Sequence, residues 1–325
     1  MIRTSICELL GIEYPIALGG LGGGFTQPEM VAAVSEAGGF GALGCHGMSA
    51  EQVASAAAAI RQFTGKPFAL NFLLFTVDDE AFAQALAQKP AAIALAWPRG
   101  DQDLKPYIDR SHEAGCKVTF MAGSVSEAVR GVEAGADVIV AQGSEGGGHV
   151  GWMASMVLVP MIVDAVSPVP VLAAGGFADG RGLAAALALG ADGILLGTRF
   201  LASEESQLHS NFKNAILESD GHDTVLTEIP DLASGSVWPG AMSRARRNAF
   251  IERWMGREWA IRQSQSQVNA SVIEARKSGD ADNAPLSFGQ DAGLITEILP
   301  TREIVRRIAE EAEQIVRSKL PKLTE

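Results

Sequence analysis

The stretch Glu133-Ala134-Gly135-Ala136-Asp137-Val138-Ile139-Val140-Ala141-Gln142 joins the end of one predicted helix to the strand that follows it. Glycine at position 135 can adopt the left-handed conformation that caps a helix, and the mainly apolar residues 138–142 then favour a buried strand. The same helix-ending phrase occurs at residues 36–38 and 113–115, and a related one occurs at residues 189–191. The chain is therefore predicted to repeat a βα unit.

Eight apolar runs have the spacing that such a repeat requires. Their starts lie 21 to 31 residues apart, about one strand plus one helix. The runs are Pro15 to Leu18, Gly41 to Leu43, Phe68 to Leu74, Ala91 to Ala96, Lys117 to Met121, Val138 to Gln142, Val169 to Ala173 and Gly193 to Leu196. Near-continuous apolarity is typical of parallel strands that are covered on both faces. We predict an α/β protein with a (β/α)8 TIM barrel, and not a doubly wound sheet, because no ribose-binding acid follows the glycine cluster at 19–24 at the expected distance.

The segment after the eighth run is longer than a barrel requires. We predict that residues 1–205 and 290–325 form the barrel and that residues 206–289 form a helical lid or insertion subdomain. The apolar positions from Thr301 onward recur at helical spacing, which predicts an amphipathic helix that closes the barrel.

Five arginines lie between residues 244 and 257 of the insertion, where we expect one helix from Ser243 to Gln263. Such a cluster could bind a phosphate or a nucleotide. The interleaved Glu252 and Glu258 instead favour a solvated, salt-bridged helix face.

Composition narrows the classes of partner. The chain has 325 residues, of which 47% are hydrophobic, and a formal net charge of −12. Nucleic acids and anionic membranes bind clustered Lys and Arg, so this acidic balance argues against both and favours a small-molecule substrate. Three scattered cysteines are typical of a reducing compartment, and no apolar run reaches the ~18 residues of a membrane span. We expect a cytoplasmic protein, and a homodimer stays open.

Glycine-rich loops follow the seventh and eighth runs, at the rim where barrel enzymes bind their ligands. Gly175 and Gly176 come after the seventh run, and Gly197 and Thr198 come after the eighth. Bare backbone amides in these two loops commonly hold a phosphate group. The alternative is that the glycines make tight turns.

The loop after the sixth run contains the best candidate for chemistry. It places His149 directly after Gly146-Gly147-Gly148, and Gln142 precedes the loop. An imidazole is suited to act as an acid or base at neutral pH. The alternative is a structural histidine. His46, after the second run, is a minor candidate.

Two further loops at the same rim complete the predicted site. Gly19 and Gly20 follow the first run, and Asn71 lies at the end of the third run unless it is simply a satisfied strand-end amide. A phosphate site on one side and a glycine-lined slot with amide side chains on the other indicate flavin mononucleotide (FMN). No residues have the spacing of metal ligands, and no GxSxG motif is present.

The chain resembles the nitronate monooxygenase family, formerly called 2-nitropropane dioxygenases, and its relatives, the flavin-dependent enoyl-acyl-carrier-protein reductases and NADH:quinone reductases. The resemblance covers nearly the whole sequence and rests on seven segments. They are Pro15-Ile16 with Gly19-Gly20, Glu36-Ala37-Gly38-Gly39, Pro67-Phe68 with Asn71, Glu145-Gly146-Gly147-Gly148-His149, Ala173-Ala174-Gly175-Gly176-Phe177-Ala178-Asp179-Gly180, Gly197-Thr198-Arg199-Phe200 and Gly289-Gln290 with Ala292-Gly293.

The resemblance implies an FMN-binding barrel in which His149 serves the substrate. Flavin contacts are implied for Gln142, Gly148, Gly176, Gly197, Thr198 and Gln290. The implied reaction converts an alkyl nitronate and dioxygen to a carbonyl compound and nitrite. Two alternatives stay open: an NAD(P)H-dependent flavin reductase that acts on a quinone or an enoyl thioester, and a flavin-binding protein without turnover.

Overall fold

The computed structural model describes residues 2–22 and 24–323. Eight parallel strands form one sheet, and three further strands form a small antiparallel sheet. The strands are β1 (Ile16–Leu18), β2 (Gly41–Gly44), β3 (Phe68–Leu73), β4 (Ala92–Ala96), β5 (Lys117–Ala122), β6 (Val138–Gln142), β7 (Gly148–Val150), β8 (Val171–Ala174), β9 (Gly193–Leu196), β10 (Thr224–Thr227) and β11 (Met242–Arg246). Each of the eight apolar runs coincides with one strand of the parallel sheet.

The parallel sheet is a nearly closed barrel. Its strand order is β1-β9-β8-β6-β5-β4-β3-β2. The two edge strands meet through a parallel bridge between Ala17 and Phe40, and the Leu18 N–H donates to the Phe40 carbonyl at 2.9 Å. The predicted α/β class and the (β/α)8 barrel are confirmed.

Many of the side chains that face the interior of the barrel are alanines. On β1, Ile16 and Leu18 pack outward against the helices, whereas Ala17 packs inward in a cluster that includes Ala42 and Ala69. Side chains alternate along a strand, so this pattern fills the outer layer tightly and leaves free space at the top of the interior. That space becomes part of the candidate site.

Helices surround the barrel and form most of the insertion. They are α1 (Ser5–Leu10), α2 (Pro28–Glu36), α3 (Ala50–Phe63), α4 (Asp79–Ala87), α5 (Lys105–Glu113), α6 (Val125–Ala134), α7 (Ser155–Val166), α8 (Gly180–Ala188), α9 (Thr198–Leu201), α10 (Ser210–Glu218), α11 (Ile229–Ser234), α12 (Ala249–Trp254), α13 (Glu258–Gln263), α14 (Gln265–Ser278) and α15 (Thr301–Gln314). Ser49 and Gln52 form the expected capping box of α3. The predicted helix from Thr301 is α15, which packs on α8 and α2.

The predicted helix from Ser243 to Gln263 is wrong. Residues 242–246 form β11, which pairs with both β10 and β7, and Gly256 in the left-handed region separates α12 from α13. Long-range strand pairing overrides local helix propensity here. The insertion therefore contains strands as well as helices, and we keep its division from the barrel at residues 206–289 as a proposal.

The arginines of this segment do not share one solvated face. Arg247 pairs with Glu252 at 2.5 Å, as expected. Arg244, in contrast, is buried, and its Nε donates to the Ser144 carbonyl at 2.8 Å. Within residues 2–22 and 24–323, no helix is long and apolar enough to cross a membrane.

Candidate active site

A cavity of about 360 Å³ opens at the carboxyl ends of the barrel strands. Ten of the eleven predicted site residues line it: Gly19, Gly20, Asn71, Gln142, Gly148, His149, Gly175, Gly176, Gly197 and Thr198. The eleventh, Gln290, is exposed, and its backbone N–H donates to the Glu145 carbonyl at 2.9 Å. Its neighbour Asp291 lines the cavity instead.

The loops after β8 and β9 form what we call the glycine side of the cavity, which comprises Gly175, Gly176, Gly197 and Thr198. Gly175 and Gly176 have φ angles of +88° and +85°. A Cβ atom on Gly175 would lie 2.5 Å from the Gly143 carbonyl oxygen. Glycine is therefore required at position 175 by both conformation and space, and the backbone of this wall stays uncovered by side chains.

Glu145 links the loop after β6 to the loop after β8. Its carboxylate accepts hydrogen bonds from the Ser155 backbone N–H at 3.0 and 2.9 Å. The Ser155 hydroxyl donates to the Gly175 carbonyl at 2.6 Å. The glutamate that opens the glycine-histidine motif thus has a structural role, because it fixes the loop after β6 against the loop after β8.

Asp291 adds a buried carboxyl group to the glycine side. The Thr198 hydroxyl donates to Asp291 Oδ1 at 3.1 Å and accepts from the Gly289 N–H at 3.0 Å. Burial, which penalises the charged form, raises the pKa of Asp291 to about 7, and the Thr198 hydrogen bond opposes that rise.

Two amide side chains lie in the floor of the cavity. The Asn71 side chain has a partner in the protein, since its Nδ2 donates to the Ala94 carbonyl at 3.2 Å. Gln142 differs, because its buried Oε1 has no hydrogen-bond partner among the described residues. A buried acceptor without a partner costs free energy, so Gln142 is suited to accept a hydrogen bond from a ligand N–H group.

His149 lies on β7 and is held from above by the insertion. Its Nε2 lies 2.8 Å from Asp231 Oδ1 on α11, and its backbone pairs with Ser243 on β11. The imidazole also stacks on Trp238, with ring centroids 3.3 Å apart and an interplanar angle of 10°. The orientation of the imidazole is therefore fixed by a hydrogen bond at its edge and by a stacked ring on one face.

Aromatic residues continue the wall beside His149. Trp238 makes an edge contact with Trp97 at 6.0 Å and a tilted contact with Phe75 at 4.9 Å. Trp97 follows β4 and has a φ angle of +53°, which is rare for a large side chain and indicates local strain at this position. We call His149, Asp231, Trp97 and Trp238 the aromatic side of the cavity. In the strand order, β4 lies opposite β9, so Trp97 faces the glycine side, whereas His149 follows β6, which neighbours β8.

His46 also lines the cavity, as the minor candidate predicted from the sequence. Its Nδ1 lies 3.1 Å from the Thr76 hydroxyl. Desolvation lowers the pKa of His46, and the nearby His149 lowers it further. His46 therefore stays neutral more readily than a free histidine.

A second cavity of about 370 Å³ adjoins the first. Both are lined by Phe25, Leu201, Arg276 and Ser287. Leu201 ends α9, so the shared wall lies on the glycine side. Asp231, Trp238, Arg276 and Asp291 were not identified from the sequence, because no local motif marks any of them.

A family model described as nitronate monooxygenase matches residues 3–97 and 94–311. The barrel, the site and this match define the protein as a flavin-dependent oxidoreductase. The chain belongs to the nitronate monooxygenase family.

Three similar proteins span nearly the whole chain. A probable nitronate monooxygenase of Staphylococcus aureus strain MSSA476 is 31% identical over 98% of this chain and 99% of its own. A Mycobacterium tuberculosis enzyme, (3aS,4S,5R,7aS)-5-hydroxy-7a-methyl-1-oxo-octahydro-1H-indene-4-carboxyl-CoA dehydrogenase, is 30% identical over 96% of each chain. The structure of FabK from Thermotoga maritima is similar with a TM-score of 0.89 and 35% identity, covering 99% of this chain and 100% of that one.

Proposed function

We propose that the protein binds FMN in the cavity at the carboxyl ends of the barrel strands and oxidises alkyl nitronates with dioxygen to a carbonyl compound and nitrite. The observation that best supports this proposal is the position of His149, which lines the same cavity as a wall of bare glycine backbone. The family match and the S. aureus relative support the choice of nitronate as substrate.

The residues that line the cavity fit FMN. Bare amides at Gly175, Gly176 and Gly197 suit a phosphate group, and a Cβ atom on Gly175 would overlap the backbone of Gly143. The unpartnered Gln142 Oε1 suits an N–H group of the flavin ring. When bound there, the flavin would supply the electron transfer, and the protein would supply orientation and proton handling.

The hydrogen bond of His149 to Asp231 determines which ring nitrogen can act on the substrate. Because Nε2 contacts Asp231, the other ring nitrogen, Nδ1, is left to serve the substrate. A proton on the imidazole would stabilise the anionic oxygen of a nitronate, whereas the neutral ring would remove a proton from a neutral nitroalkane. Trp238, which stacks on the imidazole, covers one face of the ring.

A second candidate function is NAD(P)H-dependent reduction of an enoyl thioester or a quinone. The aromatic side favours it, because Trp97 and Trp238 form an apolar wall suited to a flat conjugated group. FabK and the carboxyl-CoA dehydrogenase support the same candidate. Arg244 does not, since its guanidinium is buried and bonded to a backbone carbonyl and is not free to bind a pyrophosphate.

Anaerobic mixing separates these candidates. If propionate 3-nitronate bleaches the flavin absorbance of the purified protein and NADPH does not, nitronate oxidation is supported. Bleaching by NADPH alone supports the reductase. Bleaching by neither reagent supports a flavin-binding protein without turnover.

A further inference from the structure

Arg276 differs from the other charged residues around the cavity that contains His149. Among the described residues that line this cavity, Arg276 is the only arginine or lysine. Asp231 and Asp291, in contrast, contribute carboxyl groups. The backbone amides that face the cavity carry only partial charges, so a cation beside them would strengthen the binding of a doubly charged phosphate.

Two other arginines near the glycine side already donate hydrogen bonds to other parts of the protein. Arg199 belongs to the loop after β9, but its guanidinium donates to the carbonyls of Ala202 and Glu297, both at 2.7 Å. Arg244 donates to the Ser144 carbonyl at 2.8 Å and to the Thr224 hydroxyl at 3.1 Å. Neither guanidinium lines the cavity.

The Arg276 side chain, in contrast, is free to bind a ligand. It makes no hydrogen bond or ion pair with any residue in 2–22 or 24–323, and it is exposed at the junction of the two cavities. Its helix, α14, is anchored on the glycine side, because Ala275 belongs to the same apolar cluster as Leu201 and Ala178. Desolvation by the surrounding walls lowers the pKa of Arg276, and a guanidinium is nevertheless charged at neutral pH.

We propose that Arg276 binds the phosphate group of the flavin cofactor, an inference that rests on the proposed use of FMN. A guanidinium presents paired N–H donors that match two phosphate oxygens at once. Arg276 would thus neutralise phosphate charge that the backbone amides leave uncompensated beside the carboxyl group of Asp291. It also makes the site selective for FMN over riboflavin, which has the same ring system without the phosphate.

The test compares FMN with riboflavin. The full-length protein is stripped of bound flavin, and the dissociation constants of both flavins are measured by fluorescence quenching for the native protein and for Arg276→Gln, Arg276→Lys and Lys277→Gln. We expect Arg276→Gln to weaken FMN binding by about tenfold to a hundredfold, the value of a charge-assisted hydrogen bond, and to change riboflavin binding less than about twofold. Arg276→Lys should recover part of the loss, because it keeps the charge.

Lys277→Gln is the matched control, since it removes one positive charge from the same helix at an exposed position outside both cavities. It should leave both affinities unchanged. Equal weakening of FMN and riboflavin in Arg276→Gln would overturn the inference, as would unchanged FMN binding. A native protein that binds neither flavin would instead overturn the proposed function.

Discussion

The glycine side and the aromatic side of the cavity are built in different ways. On the glycine side, Gly175 and Gly197 directly follow β8 and β9, so each barrel strand delivers its own part of the wall. On the aromatic side, His149 comes from a barrel loop, but Asp231 and Trp238 come from the insertion and meet it only after folding. The comparison shows that the local sequence after each barrel strand is enough to position backbone groups at the rim. Orienting an imidazole there also requires side chains from a distant segment of the chain.

We expect the largest effect on turnover from replacing His149, the side chain that the aromatic side orients. We predict that His149→Ala keeps bound flavin but lowers turnover at least about a hundredfold, because a general acid or base contributes ~10²–10⁴ to the rate. Absorbance of the purified variant checks flavin content, and steady-state kinetics check turnover. The matched control is His222→Ala, which changes an exposed histidine. Turnover equal to that of the native protein would remove His149 from the mechanism.

The glycine side contains a buried carboxyl group, Asp291, whose raised pKa should make the stability of the protein depend on pH. Its pKa is about 7 in the folded protein and 3.8 ordinarily, so between these pH values the folded state binds more protons than the unfolded state. Stability contributed by this group is therefore greatest below about pH 4, falls as the pH rises to about 7, and is level above that. At ~1.4 kcal/mol per pKa unit, the fall is on the order of a few kcal/mol.

We predict that Asp291→Asn, which keeps an acceptor for Thr198, removes this part of the pH dependence. Urea unfolding of the flavin-free protein at pH 5, 6, 7 and 8 measures it, with Asp282→Asn as an exposed control. If the difference in unfolding free energy between the native protein and Asp291→Asn stays constant with pH, the carboxyl group is not the cause.

A pair of glycine substitutions compares Gly175 on the glycine side with Gly148, which directly precedes His149 of the aromatic side. Gly175→Ala and Gly148→Ala both place an L-residue at positive φ, but only the first puts a Cβ within 3 Å of backbone, whereas the second meets no atom within 4 Å. We expect Gly148→Ala to lower the unfolding free energy by about 1–2 kcal/mol and Gly175→Ala by about 1–3 kcal/mol more. Urea denaturation without flavin measures both, and equal losses would show that the wall at Gly175 relaxes freely.

The smallest expected effect concerns the bond between the insertion and the imidazole. We predict that Asp231→Asn lowers kcat about tenfold, because an amide holds the ring orientation and tautomer less strongly than a carboxylate does. KM and the affinity for FMN should change little, since Asp231 acts through His149. A loss of flavin binding of the same size would show that Asp231 supports the cavity as a whole.

The barrel and most of the site were predictable from the sequence. Strand spacing and helix-capping glycines are local signals, and strands that run parallel in a barrel bring their carboxyl ends to one rim. Gly19, Asn71, Gln142, His149 and Thr198 could therefore be grouped from their places after strands. Gln290 shows the limit of this reasoning, since its neighbour Asp291 faces the cavity instead.

The aromatic side could not be predicted in this way. Asp231 lies 82 residues from His149 along the chain, and nothing near it in the sequence marks it as a partner for an imidazole. The wrong helix from Ser243 has the same origin, because pairing with β7 and β10 decided the conformation of residues 242–246.

The sequence by itself determined the eight-stranded barrel, the glycine loops at its rim and the histidine beside them. These features depend on the conformational freedom of glycine and on strand periodicity, which act over a few residues. Tertiary structure alone decided which carboxylate orients His149, which tryptophan stacks on it and which arginine faces the cavity unpaired. Those outcomes depend on hydrogen bonds, ring contacts and burial between segments that meet only in the folded chain.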